Sequence, residues 1–208
     1  MTTSLRTALV CAVPLLLAAV GLLHPHHLTE GTADLWTWIH IGLLPVFPLL
    51  TVGLLLPVWG RPGRDASGPA VVLVWICSFV YAVFYTALDT IAGIATGALV
   101  RAVEGDHEPL VRPLYGIGNE LGYVGTYALL LGVLALGAAL YLRHGPHTLY
   151  GSAVLLASAV SFLDSHIYWP RGGITMLGFA AGFALLVWAV DRRSRVPAAQ
   201  DPGSAARA

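Results

Sequence analysis

The stretch Val20–His40, "VGLLHPHHLTEGTADLWTWIH", closes one apolar run and opens another after a short polar interval. Upstream of it, "TALVCAVPLLLAAVGLL" (7–23) carries no ionisable group other than the Cys11 thiol. Downstream, from Trp36 to Val58, His40 is the only ionisable residue. Crossing the hydrocarbon core of a bilayer takes roughly 17–25 mostly apolar residues. Two such runs separated by a dozen residues, most of them polar, read as a pair of membrane helices with their connection.

Extending this reading along the 208 residues gives six spans, at about 6–23, 36–58, 70–98, 116–142, 149–169 and 173–190. Hydrophobic residues make up 57% of the chain and charged residues only 11%, with a mean hydropathy of +0.75. A water-facing domain of this size needs roughly 25% charged residues to cover its surface. The expected fold class is therefore all-α, a polytopic membrane helix bundle of six transmembrane helices. Residues 1–190 form the single bundle and 191–208, "DRRSRVPAAQDPGSAARA", read as a disordered tail. The first run, preceded by Arg6, also has the outline of a signal peptide, but its apolar stretch is long for one, and a retained span is expected.

Arginine placement sets the expected orientation. With the N-terminus inside, Arg6, Arg61, Arg64, Arg143, Arg192, Arg193, Arg195 and Arg207 fall on the cytoplasmic side, against Arg101, Arg112 and Arg171 outside. Both termini are thus expected in the cytoplasm of a multi-pass cell-membrane protein. Glu30, Asp34, Glu104, Asp106 and Glu108 then lie on outer connections. A net charge of zero with no basic stripe argues against nucleic acid as a partner, leaving the lipid bilayer and a small apolar substrate. Cys11 and Cys77 lie within apolar runs and read as buried small hydrophobes.

The polar residues in and beside the spans gather toward the outer face: His24, His26, His27, His40, Asp89, Glu120, Asp164 and His166. Ser78, Tyr81, Tyr85 and Asp89 recur at helical spacing, as do Glu120, Tyr123 and Tyr127, while Ser158, Ser161 and Ser165 share another face. Gly93-x-x-x-Gly97 and Gly118-x-x-x-Gly122 would let the helices bearing Asp89 and Glu120 approach closely. Pro45 and Pro48 should bend the second span just below His40 and free backbone carbonyls there.

Three readings of this cluster are open. Interfacial histidines and helix-end carboxylates are ordinary in membrane proteins. Imidazoles combined with carboxylates also suit a transition metal or a haem. On that preferred reading His24, His26, His40, Asp164 and His166 are the candidate ligands, for redox or hydrolytic chemistry. Pro25 is expected to hold His24 and His26 on one side of an extended chain, with His27 pointing away. For a haem, His40 and His166 make the best axial pair. The alternative is metal-free acid–base catalysis by Asp89 and Glu120 on a lipid or isoprenoid-like substrate. A small transporter or an assembly factor comes third, since the inner half offers few polar groups for a coupled pathway.

Overall fold

A computed structural model describes residues 1–60, 62–103 and 105–194. Arg61, Glu104 and the tail from residue 195, including Arg195 and Arg207, lie outside these residues. Among the described residues the chain is helical, with no strand. Six helices are long and apolar enough to cross a membrane: α1 (Thr3–Gly21), α2 (Ala33–Val58), α3 (Gly68–Ala102), α4 (Glu108–His144), α5 (Pro146–Ser165) and α6 (Arg171–Arg192, continuing in helix to Ser194). The expected spans are all present.

Three features differ from the sequence pattern, and all three shape the end of the bundle where α1 ends and α2 begins. First, α4 has 37 residues, about 55 Å at 1.5 Å per residue, which exceeds the roughly 30 Å hydrocarbon core. Its N-terminal turns pack with the ends of α2 and α3 around a small second core of Ala33, Val100 and Val111. Second, α3 passes into a π-helical segment at Asp89–Ala95 before resuming an α-helix at Thr96. Third, α5 stops at Ser165 rather than 169, because His166 adopts φ 44°, a region that ends a right-handed helix.

The prolines of α2 act as expected. The α-helix stops at Leu43, and the chain continues as short turns, Val46–Leu49 and Val52–Leu55, before a 3-10 turn at Leu56–Val58. The Thr51 hydroxyl donates to the Pro48 carbonyl at 2.7 Å, satisfying one acceptor in this irregular stretch.

The bundle core consists of aliphatic and phenylalanine side chains, including Leu17, Leu50, Leu54, Leu129, Leu136, Leu140, Phe179 and Phe183. Helix α3 packs mainly on α4, while α1 and α5 pack on α6. Ion pairs tie the two ends. At one end Arg6 of α1 reaches Asp191 of α6 at 3.4 Å, and Arg143 of α4 donates to Ser67 ahead of α3 at 2.8 Å. At the other end Arg101 pairs with Asp34 at 3.0 Å, and Arg171 grips Asp164 at 2.6 and 3.2 Å. The start of α1 and the end of α6 therefore lie at the same end of the bundle. Both cysteines are unpaired; Cys77 is buried, and the Cys11 thiol donates to the Ala180 carbonyl at 3.4 Å.

Candidate metal centre

The close approach of three helices at this end of the bundle follows from small residues. Gly118 of α4 sits against Ala92, where an added Cβ would come within 2.7 Å of the alanine methyl. Gly93 instead faces α2, where an added Cβ would overlap the His40 imidazole. The two glycine pairs thus serve different neighbours: Gly118 and Gly122 bring α4 onto α3, and Gly93 and Gly97 bring α3 onto α2. The π segment contributes here as well, because the Gly93 carbonyl accepts the Trp36 indole N–H at 3.1 Å. Gly93→Ala should destabilise the fold by about 1–3 kcal/mol, the usual cost of overpacking. An unchanged melting temperature would show that His40 is not seated on this glycine.

His24, His40 and His166 converge at this point, and one ring nitrogen of each lies within 4.8 Å of the others. His24 comes from the connection after α1, His40 from α2 and His166 from the break after α5. His24 and His40 are buried, and His166 is partly so. The His24 Nδ1–H donates to the Pro25 carbonyl at 2.8 Å, and the His40 Nδ1–H donates to the Trp36 carbonyl at 2.7 Å. A carbonyl can only accept, so each Nδ1 carries the proton and each neutral ring presents a bare Nε2. These two Nε2 atoms face each other at 3.4 Å. His166 is held by a 2.6 Å hydrogen bond between its Nδ1 and the Tyr85 hydroxyl, and Phe47 packs on its ring at 5.3 Å between centroids.

Burial depresses the His24 pKa to about 4, only partly offset by its hydrogen bond to Pro25. Burial, with added repulsion from His24 and His40, also holds His166 well below its ordinary value. At neutral pH both rings are therefore uncharged, the form that ligates metals.

Asp89, 1% exposed, completes the group. Its Oδ1 lies 3.9 Å from His40 Nε2, and neither of its oxygens has a hydrogen-bond partner among the described residues. A cavity of about 330 Å³ opens beside it, lined by Trp36, His40, Tyr85, Asp89, His166 and Tyr168 together with apolar groups such as Leu88, Ala92 and Phe162.

The other candidates lie elsewhere. His26 is exposed and stacks on Tyr168 at 5.9 Å, so "HPHH" turns only its first histidine inward. The chain after α1 continues in a turn through Leu22 and Leu23 rather than running extended, which aims His24 alone at the bundle. Asp164 is 59% exposed and committed to Arg171 at the cavity rim. Glu120 is exposed and does not line the cavity, where the neighbouring Asn119 takes its place. The reason is angular: Gly118 and Gly122 face α3, and Glu120, two residues from each, points about 200° away around the helix. Asp89 and Glu120 therefore do not form a pair. The serine face of α5 also serves packing, since Ser161 and Ser165 bond to Thr175 of α6 at 2.7 and 3.4 Å.

The stripe Ser78, Tyr81, Tyr85 and Asp89 is buried throughout, whereas the equally spaced Glu120, Tyr123 and Tyr127 are exposed. Sequence reasoning missed the parts played by Tyr168, Trp36 and the π segment. No local pattern in the sequence marks a π turn.

Compared with known protein families, with characterised proteins and with solved structures, the chain shows no significant match to any.

Proposed function

We propose that this is a multi-pass cell-membrane protein that holds a transition-metal ion near its outer face through His24, His40 and His166, with Asp89 as the oxygen ligand. The observation that carries this reading is the pair of bare Nε2 atoms facing each other at 3.4 Å. With both Nδ1 protons committed to carbonyls, no neutral form of the pair puts a hydrogen between them. A cation between the lone pairs resolves the repulsion. The separation also matches the edge of a tetrahedron built on Zn–N bonds of 2.0–2.1 Å, about 3.4 Å. His166 needs a small adjustment to reach the same geometry. The two carbonyls that fix the tautomers of His24 and His40 are the outer-shell partners that ligating imidazoles usually have.

Three nitrogens and one carboxylate suit zinc, iron, copper or manganese. A haem fits less well. The His24 ring lies edge-on to both His40 and His166, at 4.9 and 5.7 Å, in the space a porphyrin between the other two would occupy. The adjoining cavity gives a small, largely apolar substrate access to the centre. In it an ion can polarise a bound oxygen or carry redox chemistry. Asp89 and His40 place a carboxylate and an imidazole at the same wall.

One observation favours a second reading, acid–base chemistry by Asp89 without metal: its unpartnered carboxyl lines the cavity wall alongside Leu88, Ala92 and Phe162. Elemental analysis of protein purified in detergent, without chelators, separates the two. Near-stoichiometric metal without a Soret band is expected. Metal-free protein that still turns over a lipid-like substrate would favour the second reading.

The orientation follows the arginine bias, with both termini in the cytoplasm and the histidine centre at the outer leaflet. Reporter fusions after Arg64 and Arg143 should read inside, and fusions at Asp34 and Glu108 outside. An outside signal at Arg143 would refute this topology.

A further inference from the structure

The six helices form a ring of neighbours: α1 packs on α6, α6 on α5, α5 on α4 and α4 on α3, with α2 between α3 and α1. A gap between two neighbours in such a ring opens sideways out of the bundle. Helices α4 and α5 meet at the end away from the histidines, where a Cβ added at Gly137 would lie 3.1 Å from the Ser152 hydroxyl. Toward the histidine end both turn to α3 instead. Gly118 and Gly122 of α4 face Ala92 and Leu88, and Phe162 of α5 stacks on Tyr85 at 5.3 Å between centroids.

The cavity of about 330 Å³ occupies the space left between α4 and α5. His40 and Asp89, on α2 and α3, form its buried wall. On the other side Asn119 and Tyr123 of α4 and Asp164 of α5 are exposed, and Leu163 is half-buried, so the mouth is the gap itself. In a bilayer its depth follows from α4. The far end of that helix is fixed by Arg143, bonded to Ser67. Roughly 30 Å of hydrocarbon takes about 20 helical residues, which puts Tyr123 and Thr126 inside the hydrocarbon and Asn119 at its edge.

We propose that the cavity takes its ligand sideways from the bilayer, through the gap between α4 and α5, and that this ligand is a single-chain lipid ending in a hydroxyl group. The route rests on the membrane setting of the preceding reading and not on its ion. Size selects one chain. A water takes about 30 Å³ of liquid, so 330 Å³ holds about eleven atoms of that size, a polar end and the first carbons of one tail. The remaining tail stays in the gap among the lipids. Chemistry selects the hydroxyl. Neither oxygen of the buried Asp89 carboxyl has a partner among the described residues. A hydroxyl both donates and accepts, so it satisfies this carboxyl in either protonation state. The carboxylate of a fatty acid would bring a second buried charge instead.

The test uses the full chain in phosphatidylcholine nanodiscs, stripped of metal by a chelator. The probe is hexadecanol with a diazirine beside its hydroxyl end, and its attachment is mapped by peptide mass spectrometry. Saturable labelling is expected in the segments holding Asp89, Tyr123 and Phe162, suppressed by excess plain hexadecanol. Leu163→Trp, which fills the mouth, should cut this labelling about tenfold, the usual cost of overpacking, while Leu163→Ala should keep it at or above the wild-type level. Butanol carrying the same diazirine should label at least about tenfold less at equal total concentration, since it has few methylenes to bury. Stronger labelling by the butanol probe would show a cavity open to water and overturn the lipid route. Equal labelling by the matching fatty-acid probe would overturn the preference for a hydroxyl. Attachment confined to lipid-facing residues such as Tyr127 and Val160 would overturn both. Repeating the labelling with zinc added back separates the route from the ion. Cavity labelling that zinc leaves unchanged supports the route and counts against an ion at that wall, whereas no cavity labelling under either condition overturns the route whatever metal the protein holds.

Discussion

His40→Ala should abolish the metal binding proposed for this cluster. Of the three converging histidines, His40 alone touches both of the other key groups, with His24 Nε2 at 3.4 Å and Asp89 Oδ1 at 3.9 Å from its Nε2. Removing it leaves His24 Nε2 without the nitrogen that faces it and takes away the imidazole nearest Asp89. Loss of a direct ligand should exceed the 10–100-fold cost of losing an outer-shell contact, so co-purifying metal should fall below about a tenth of the wild-type content. His40→Asn sharpens the experiment. Its side-chain amide can still donate to the Trp36 carbonyl, as the Nδ1–H does at 2.7 Å, but it carries nothing at the Nε2 position. The asparagine variant should fold and yet remain metal-free. Glu120→Ala, altering an exposed residue outside the cavity, should keep full metal content. Metal retained in both His40 variants would show that the ion, if any, is held elsewhere.

The second large effect belongs to Asp89→Asn, and its size should depend on metal. In metal-free protein the buried carboxylate has no hydrogen-bond partner, so its desolvation is uncompensated. The near-isosteric amide removes the charge and should stabilise the metal-free fold by about 1–3 kcal/mol. With metal present the balance should move about 2 kcal/mol toward wild type, which cancels or reverses most of that gain. Wild type gains about 2.7 kcal/mol when free metal is 100 times its Kd, and a variant with about 100-fold weaker binding gains under 1 kcal/mol at the same concentration. Paired melting curves with chelator and with added zinc read both differences. A variant less stable than wild type under both conditions by the same amount would make Asp89 a packing residue and remove it from the ligand set.

Much of the fold was legible because the physics of spanning a bilayer is one-dimensional. Run length, apolar content and charge-free stretches are properties of consecutive residues, and all six helices follow from them. The stripe Ser78, Tyr81, Tyr85 and Asp89 was legible as one helix face, but its burial was not, since Glu120, Tyr123 and Tyr127 have the same spacing and are exposed.

Which polar residues meet was decided only in three dimensions. His24, His26 and His27 are close in sequence and chemically alike, and a tight turn after α1 alone determines which of them enters the bundle. Glu120 lies on a helix whose small-residue face was committed to α3, which turned the carboxylate away. His166 looked like the end of a helix, but its positive φ takes it out of α5 and onto Tyr85. The π turn at Asp89–Ala95 placed Gly93 beneath His40 and left Asp89 unpartnered beside it. The sequence by itself determined six apolar helices with their ionisable groups near one end, because transfer into hydrocarbon acts on each segment separately. Only the tertiary structure brought His24, His40, His166 and Asp89 together out of those groups, because their meeting depends on side chains from four separate elements arriving within a few ångströms of one another.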